Sequence, residues 1–261
     1  MGIYNCALTL PEAIDSILAQ TDPNWELILC DDGSADDTYR VAAEYRDRYP
    51  EKIILLQNEK NMGLNHTLNR CLAAATGEYI ARMDGDDISL PQRFEREAAF
   101  LDRHPEYAIV STPMIYFDAK GEWGAGTAKE KPEPVDFAAG TPFCHAPCMV
   151  RAEAFRAVGG YSTDRRTLRA EDYDLWFRLY AAGYRGYNLE TPYYKMRDDE
   201  NAYHRRKFKY ALNEAYVRFM GYRMLKLPGK TYLYVLRPIL VALLPKRAYL
   251  YLHHHKKSGK G

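Results

Sequence analysis

Long apolar runs are missing from this 261-residue chain. The strongest, residues 231–244, is interrupted by Arg237 and Pro238 and falls short of the ~20 residues a helix needs to span a bilayer. Cysteine is sparse. Cys6, Cys30, Cys71, Cys144 and Cys148 are odd in number and scattered, and no signal-peptide pattern precedes them, so reduced thiols in the cytoplasm are expected. Cys144, His145 and Cys148 lie close together, but no second ligand pair with zinc spacing accompanies them, and small buried side chains explain them better. Residues 1–11 hold no glycine- and base-rich loop that would cradle a triphosphate, which argues against nucleotidyl transfer. There is no internal repeat. With 47% hydrophobic and 27% charged residues, nothing in the composition favours global disorder.

Net charge is nearly absent too, at +1, but the balance conceals a split. Residues 203–261 carry 14 Lys or Arg against one acid, Glu214, for +13, while residues 1–202 carry −12. Such asymmetry points to a basic tail that meets an anionic surface, nucleic acid or membrane. Tyr232, Tyr234, Tyr249 and Tyr251 mix with Lys246, Arg247, Lys256 and Lys257 beside the apolar run, which favours the membrane interface over a C-terminal helix pair packed on the domain. His253, His254 and His255 inside this tail establish neither a tag nor a metal site.

What is present is alternation. Residues 12–20 read as an amphipathic helix with Ala13, Ile14, Ile17 and Leu18 on one face, 25–30 as an apolar strand, and 38–49 as a helix stopped by Pro50. A strand at 53–56, a helix at 64–75 and a strand at 78–82 follow. Further on, 89–103 reads as a helix, 107–117 as a strand, 119–142 as a long mobile loop and candidate lid, 152–158 and 171–182 as helices, and 187–196 as a final strand. The pattern predicts an α/β domain over 1–202, a mixed, mostly parallel sheet flanked by helices, with a basic helical extension over 203–261. Residues 1–4 are fewer than the about five or six of a usual strand, so the first strand reads as clipped, its true start upstream.

Three acidic clusters carry the chemistry. Met83-Asp84-Gly85-Asp86-Asp87 follows a strand, where an α/β sheet binds its ligand, and repulsion among the carboxylates calls for a divalent cation such as Mg²⁺ or Mn²⁺. A solvated acidic turn is the plainer alternative. In Asp31-Asp32-Gly33-Ser34-Ala35-Asp36-Asp37-Thr38, Ser34 and Asp37 suit a helix cap, which leaves Asp31 and Asp32 at the strand end to accept from a base or ribose. Glu171, Asp172 and Asp174 open a helix. Its dipole stabilises acids there and favours an ionised carboxylate ready to act as general base at neutral pH.

In order along the chain, Tyr4-Asn5, residues 12–21, the Asp31–Thr38 cluster, Asn61-Met62-Gly63-Leu64, residues 77–87, Gly159-Gly160-Tyr161 and residues 171–176 resemble the family 2 glycosyltransferases over roughly residues 1–200. The resemblance implies a GT-A-like, Rossmann-related fold and an inverting transfer from a nucleotide diphosphate sugar, usually UDP-linked. By position, Tyr4 and Asp32 would contact the base, and Asp84 and Asp86 would form the DxD element, Asp86 the direct metal ligand and Asp84 shared between nucleotide and metal. Asp172 would be the catalytic base, with Glu171 and His145 near a saccharide or lipid-linked acceptor. The Gln-x-x-Arg-Trp motif of the processive members is not found, which implies single-sugar addition. The implied setting is cell-surface polysaccharide synthesis at the inner face of the cell membrane, with the protein peripheral and no nucleic acid bound. The clipped start keeps a catalytically impaired nucleotide-sugar binder as an alternative, and the tail charge keeps a nucleic-acid-binding protein as a weaker one, since acidic clusters repel phosphates.

Overall fold

The computed structural model describes residues 1–198 and 207–245. The N-terminal half is a parallel βαβ series. β1 (Gly2–Ile3), β2 (Leu27–Asp31) and β3 (Ile53–Gln57) pair in parallel, joined by α1 (Leu10–Leu18) and α2 (Thr38–Arg48). All five residues of β2 are buried, as a strand covered on both faces requires. α1 buries Leu10, Ala13, Ile14 and Ile17, the i, i+3, i+4, i+7 stripe of a core-facing helix. α3 (Leu64–Ala74) then leads to β4 (Tyr79–Ala81).

β4 belongs to a second group of strands with β9 (Met149–Arg151), β6 (Ile109–Ser111) and β10 (Gly186–Asn188), in the order β10-β6-β9-β4. β10 and β6 are parallel, while β9 runs antiparallel to both its neighbours. A third group joins β5 (Ile88–Ser89), β11 (Tyr194–Arg197), β7 (Met114–Asp118) and β8 (Gly121–Ala125). The architecture is thus a mixed sheet system flanked by helices.

Three expectations change in detail. The 89–103 helix starts only at Arg93 (α4, Arg93–Arg103), because Ser89 is tied into β5 opposite Tyr194 and its N–H donates to Ser16 Oγ (3.0 Å). The strands expected at 107–117 and 187–196 each divide in two, β6/β7 and β10/β11. Both break beside a proline, Pro113 and Pro192, which lacks the N–H a ladder needs, and Thr112 Oγ1 ties the breaks together on the Thr191 carbonyl (2.5 Å). The 119–142 segment is not one free loop. β8 forms a hairpin on β7, and a 3₁₀ turn at Pro134–Ala138 buries Phe137, whose carbonyl accepts from Tyr173 Oη.

α5 (Ala152–Ala157) precedes α6 (Glu171–Ala181), most of whose residues are buried, so it needs cover on several sides. α7 (Phe208–Met224) supplies one: Val217 and Tyr222 share a core with Phe177 and Trp176. A 3₁₀ segment, Gly229–Leu236, and α8 (Arg237–Ala242) follow. The 202/203 boundary, the first residues of the expected tail helix, Lys246, Arg247, Tyr249, Tyr251, the three histidines and the lysines after them lie outside the described residues. No described helix is long and apolar enough to cross a membrane.

Candidate active site

The segment 4–9 brings two acidic turns to one edge. Asn5, at φ 47°, donates its N–H to Ser34 Oγ (3.0 Å) and accepts from the Ala35 N–H (2.8 Å), and the Ala7 N–H reaches Asp36 Oδ2 (3.2 Å). Further along, Thr9 Oγ1 donates to the Gly85 carbonyl (3.0 Å). Two glycines make this packing possible. A Cβ on Gly85 would meet Cys6 Sγ at 3.0 Å, and one on Gly33, whose φ is 69°, would fall 2.7 Å from the Lys60 backbone. Ser34 Oγ donates to Asp31 Oδ1 (2.5 Å), so the Ser34–Asp37 cap is not formed. Asp36 instead accepts from the Thr38 N–H (3.0 Å) at the start of α2.

Asp84, Asp86 and Asp87 offer oxygens that all lie within 4.8 Å of one another, the one such group of potential metal ligands among the described residues. Asp84 accepts from both Arg82 guanidinium nitrogens, Nη1 (2.5 Å) and Nη2 (2.6 Å). Asp87 is enclosed, taking bonds from Tyr194 Oη (2.9 Å) and the Arg197 N–H (2.8 Å). Burial, with the charges of Asp84 and Asp86, pushes Asp87 up to about 8. Crowding of that kind is what a divalent cation relieves, and an all-carboxylate donor set suits hard Mg²⁺ or Mn²⁺. The donors fit such an ion. Asp84 and Asp86 are half-buried, whereas Asp87 is buried and bonded to β11, so those two would be the ones to hold it.

Asp172 stands in the first turn of α6, in the wall of a cavity of about 390 Å³ whose lining includes Arg169, Tyr173, Arg218 and Arg237. The helix dipole does not decide its charge as expected. Burial, then the neighbouring Glu171, pushes its carboxyl up to about 7, against the opposing pull of Arg82. Its basicity is thereby matched to neutral pH.

The other expected residues are placed unevenly. Tyr4 is exposed on the bridging segment. Asp32 is buried, and its oxygens take the Asn58 amide (2.7 Å) and the N–H groups of Met62 (2.8 Å) and Gly63 (2.9 Å). Asp32 thereby braces the 58–63 loop. Neither Glu171 nor His145 lines the Asp172 cavity. Glu171 is buried, and His145 is packed, its Nε2 2.8 Å from Tyr161 Oη and its ring edge-on to Trp176. Burial and the charge of Arg82 hold His145 well below the usual histidine range, so it is neutral. Arg82, Tyr194 and Arg197 were not anticipated. Arg82 left a signal, a lone cation in the run Tyr79-Ile80-Ala81-Arg82-Met83. Tyr194 and Arg197 left none, because they reach the acidic turn from more than a hundred residues away.

A parallel βαβ half with acidic turns gathered at its strand ends, joined to a mixed half that brings a carboxylate on a helix start, is the GT-A fold. The family model "Glycosyl transferase family 2" matches residues 1–159, and the chain belongs to that family. It is 49% identical over 98% of its length to EpsE of Bacillus subtilis (strain 168), a glycosyltransferase by name, covering 92% of that protein. It is 29% identical to the amylovoran biosynthesis glycosyltransferase AmsE of Erwinia amylovora, over 96% of this chain and 94% of that one. Among solved structures, S. aureus TarS 1–349 in complex with UDP-GlcNAc superposes with a TM-score of 0.69 at 17% identity, covering 98% of this chain and 86% of TarS 1–349. The protein is an enzyme of glycosyl transfer.

Proposed function

We propose that the enzyme moves a single sugar, with inversion, from a UDP-linked donor to a hydroxyl of a saccharide or lipid-linked acceptor, with Mg²⁺ or Mn²⁺ held by Asp84 and Asp86. The observation that carries this reading is the acidic turn after β4, where Asp84, Asp86 and Asp87 offer oxygens that all lie within 4.8 Å of one another and Asp84 is held by Arg82. Tyr4 offers an exposed ring for the base to stack on, beside the loop that Asp32 braces. The bound cation would take up charge on the departing diphosphate. Asp172 accepts the proton of the attacking hydroxyl, and a single displacement from the opposite face inverts the anomeric carbon without an enzyme nucleophile. Likeness to a protein solved with UDP-GlcNAc supports the choice of donor.

A second element of the proposal concerns the acceptor side. Leu233, Leu236, Leu240 and Leu243 are exposed, and Arg223, Lys226, Lys230 and Arg237 lie in the same part of the chain. Apolar side chains among cations suit the surface of an anionic bilayer. Arg237, Pro238 and Val241 of the same segment line the Asp172 cavity, which would open that cavity beside a membrane-borne acceptor. The catalytic unit of residues 1–202 would then sit peripherally on the inner face of the membrane through the 203–261 extension.

The test is a screen of UDP-, GDP- and dTDP-sugars for Mn²⁺-dependent nucleotide release, with Asp86→Ala and Asp172→Ala as controls. Release that needs no metal, or that survives in either variant, refutes the assignment. Donor binding without turnover in the wild type indicates an impaired binder instead. For the membrane, Leu240→Asp with Leu243→Asp should abolish co-sedimentation with phosphatidylglycerol vesicles; unchanged sedimentation counts against it.

A further inference from the structure

The turn that leads into α6 holds an arginine where a glycine is the usual residue. The Ala170 N–H donates to the Thr167 carbonyl (2.9 Å). Between them stand Leu168, at φ −56° and ψ 126°, and Arg169, at φ 68°, which makes a type II turn. The third position of such a turn needs a positive φ, free to glycine and costly to a residue with a Cβ. The turn is also pinned. Asn213 Nδ2 of α7 donates to the Arg165 carbonyl (3.2 Å) and the Leu168 carbonyl (3.0 Å), and Asp164 accepts from the Arg166 N–H (2.8 Å). An unfavourable backbone held this firmly, two residues before the start of α6, fixes where the Arg169 side chain leaves the chain.

That side chain lines the Asp172 cavity, with Arg218 and Arg237. The three guanidinium groups differ in what they have left to give. Arg218 is buried and fully engaged: Nε donates to Glu214 (2.9 Å), and Nη1 to the Ala138 carbonyl (3.1 Å) and Tyr222 Oη (3.1 Å). Arg237, on α8, gives Nη1 to the Ala139 carbonyl. Arg169 is exposed, and among the described residues it has no hydrogen bond or ion pair, only the Tyr210 ring 6.0 Å away. The acids of the wall are Asp172 and Glu214, and Glu214 is paired with Arg218. Arg169 and Arg237 therefore stand against Asp172 alone, in a space of about 390 Å³ that admits a sugar-sized ligand. One fork satisfies a carboxylate, whereas two forks with spare donors match a dianionic phosphoryl group.

We propose that Arg169, together with Arg237, is the specificity-determining element for an acceptor that carries a phosphoryl group, held here while the acceptor's hydroxyl faces Asp172. The proposal rests on the reading of Asp172 as the base. Arg169 takes two phosphoryl oxygens with its fork and Arg237 adds its remaining donors, so the acceptor is gripped away from its reacting end. A neutral sugar leaves both cations without a partner and is disfavoured on that account. The phosphoryl group belongs either to the head of a lipid carrier or to the glycan itself; both present the same oxygens to the two arginines.

Titration calorimetry on the full chain, with Mn²⁺ and UDP present, compares N-acetylglucosamine 1-phosphate, glucuronic acid and N-acetylglucosamine. The wild type should bind the phosphate about tenfold tighter than the neutral sugar, and tighter than the carboxylate. Arg169→Gly should erase that preference and still raise the thermal midpoint by about 2 °C, because glycine suits the turn. Arg169→Gln should erase it with the midpoint unchanged, and Arg169→Lys should keep part of it. Farnesyl diphosphate bound more tightly than the sugar phosphate assigns the group to a lipid carrier, and weaker binding assigns it to the glycan. A wild type that does not favour phosphate, a preference that survives in Arg169→Gly, or a midpoint that falls together with the preference overturns the proposal. Asp172→Asn keeps the two readings apart. Turnover retained there sinks the base, whereas an inactive Asp172→Asn beside an unchanged preference in Arg169→Gly sinks the role of Arg169 alone.

Discussion

Arg82 holds both carboxylate oxygens of Asp84, at 2.5 and 2.6 Å, from only two residues away in the chain. Arg82 is almost wholly buried and its Nε has no partner, so Asp84 is what holds the guanidinium in place. Arg82→Lys keeps the charge but loses the two-pronged geometry. It should lower kcat/KM for the donor about tenfold to a hundredfold, the worth of one or two charge-assisted bonds. Steady-state nucleotide release measures it, and unchanged kinetics would make Arg82 a packing residue only.

In the proposed mechanism Asp172 sets the pH dependence. Its carboxyl is pushed up to about 7 by burial and by Glu171, and a general base works only when deprotonated. The rate should therefore fall about tenfold per pH unit below 7. Glu171→Gln removes the second cause and should move this limb to lower pH, while Asp172→Asn should cost roughly 10²- to 10⁴-fold in kcat with donor binding kept. The linked effect on stability has the opposite sense. A carboxyl whose folded value lies above its ordinary 3.8 favours the fold at acid pH, and that contribution is lost as pH rises through about 7. A pH–rate profile that is flat from 5 to 8 rules out Asp172 as the base.

Local signals made much of this legible. The parallel half could be read from alternation because each strand and helix there is a single unbroken run, and β2 and α1 lie close to where periodicity puts them. The second half hid its breaks. Pro113 and Pro192 each divide an apolar run, and only the pairing of the pieces with different partners shows that two sheets are involved. In the site, acidic residues at strand ends identify themselves by mutual repulsion, which marked Asp84 and Asp86. Burial decides what sequence leaves open. Asp32 lies at the expected place but spends its oxygens on Met62 and Gly63, and the helix dipole at Asp172 is outweighed by desolvation.

Arg93 supports the same strand end from beneath. It is fully buried, donates from Nη2 to the Arg82 carbonyl (2.8 Å), and pairs through Nε with the equally buried Glu97 (3.1 Å). Burial pushes Glu97 up to about 8 in spite of that partner. Arg93→Met removes the contacts to Arg82 and leaves Glu97 alone in the core. It should cost about 3 kcal/mol, measured by urea denaturation, and Arg93→Met with Glu97→Leu should cost less than the single change. A single variant as stable as wild type would mean the pair is dispensable.

The last prediction separates the acceptor side from the donor side. Gly221 of α7 lies against Phe177 of α6 so closely that a Cβ would fall 2.2 Å from the ring. In an exposed helix, Gly→Ala stabilises by about 1 kcal/mol. Here the ring is held among Phe137, Tyr173 and Tyr222 and cannot step aside, so overpacking by about 1–3 kcal/mol should reverse the sign. The displaced α7 carries Arg218, which bonds the Ala138 carbonyl and lines the Asp172 cavity, whereas the acidic turns lie on other elements. Gly221→Ala should therefore lower the thermal midpoint and raise KM for the acceptor while leaving KM for the donor near its wild-type value. Gly140→Ala is the control. It lines the same cavity with nothing within 4 Å of its added Cβ, so it should change neither stability nor donor KM. Equal shifts in both Michaelis constants for Gly221→Ala would mean that α7 supports the whole enzyme and not the acceptor side alone.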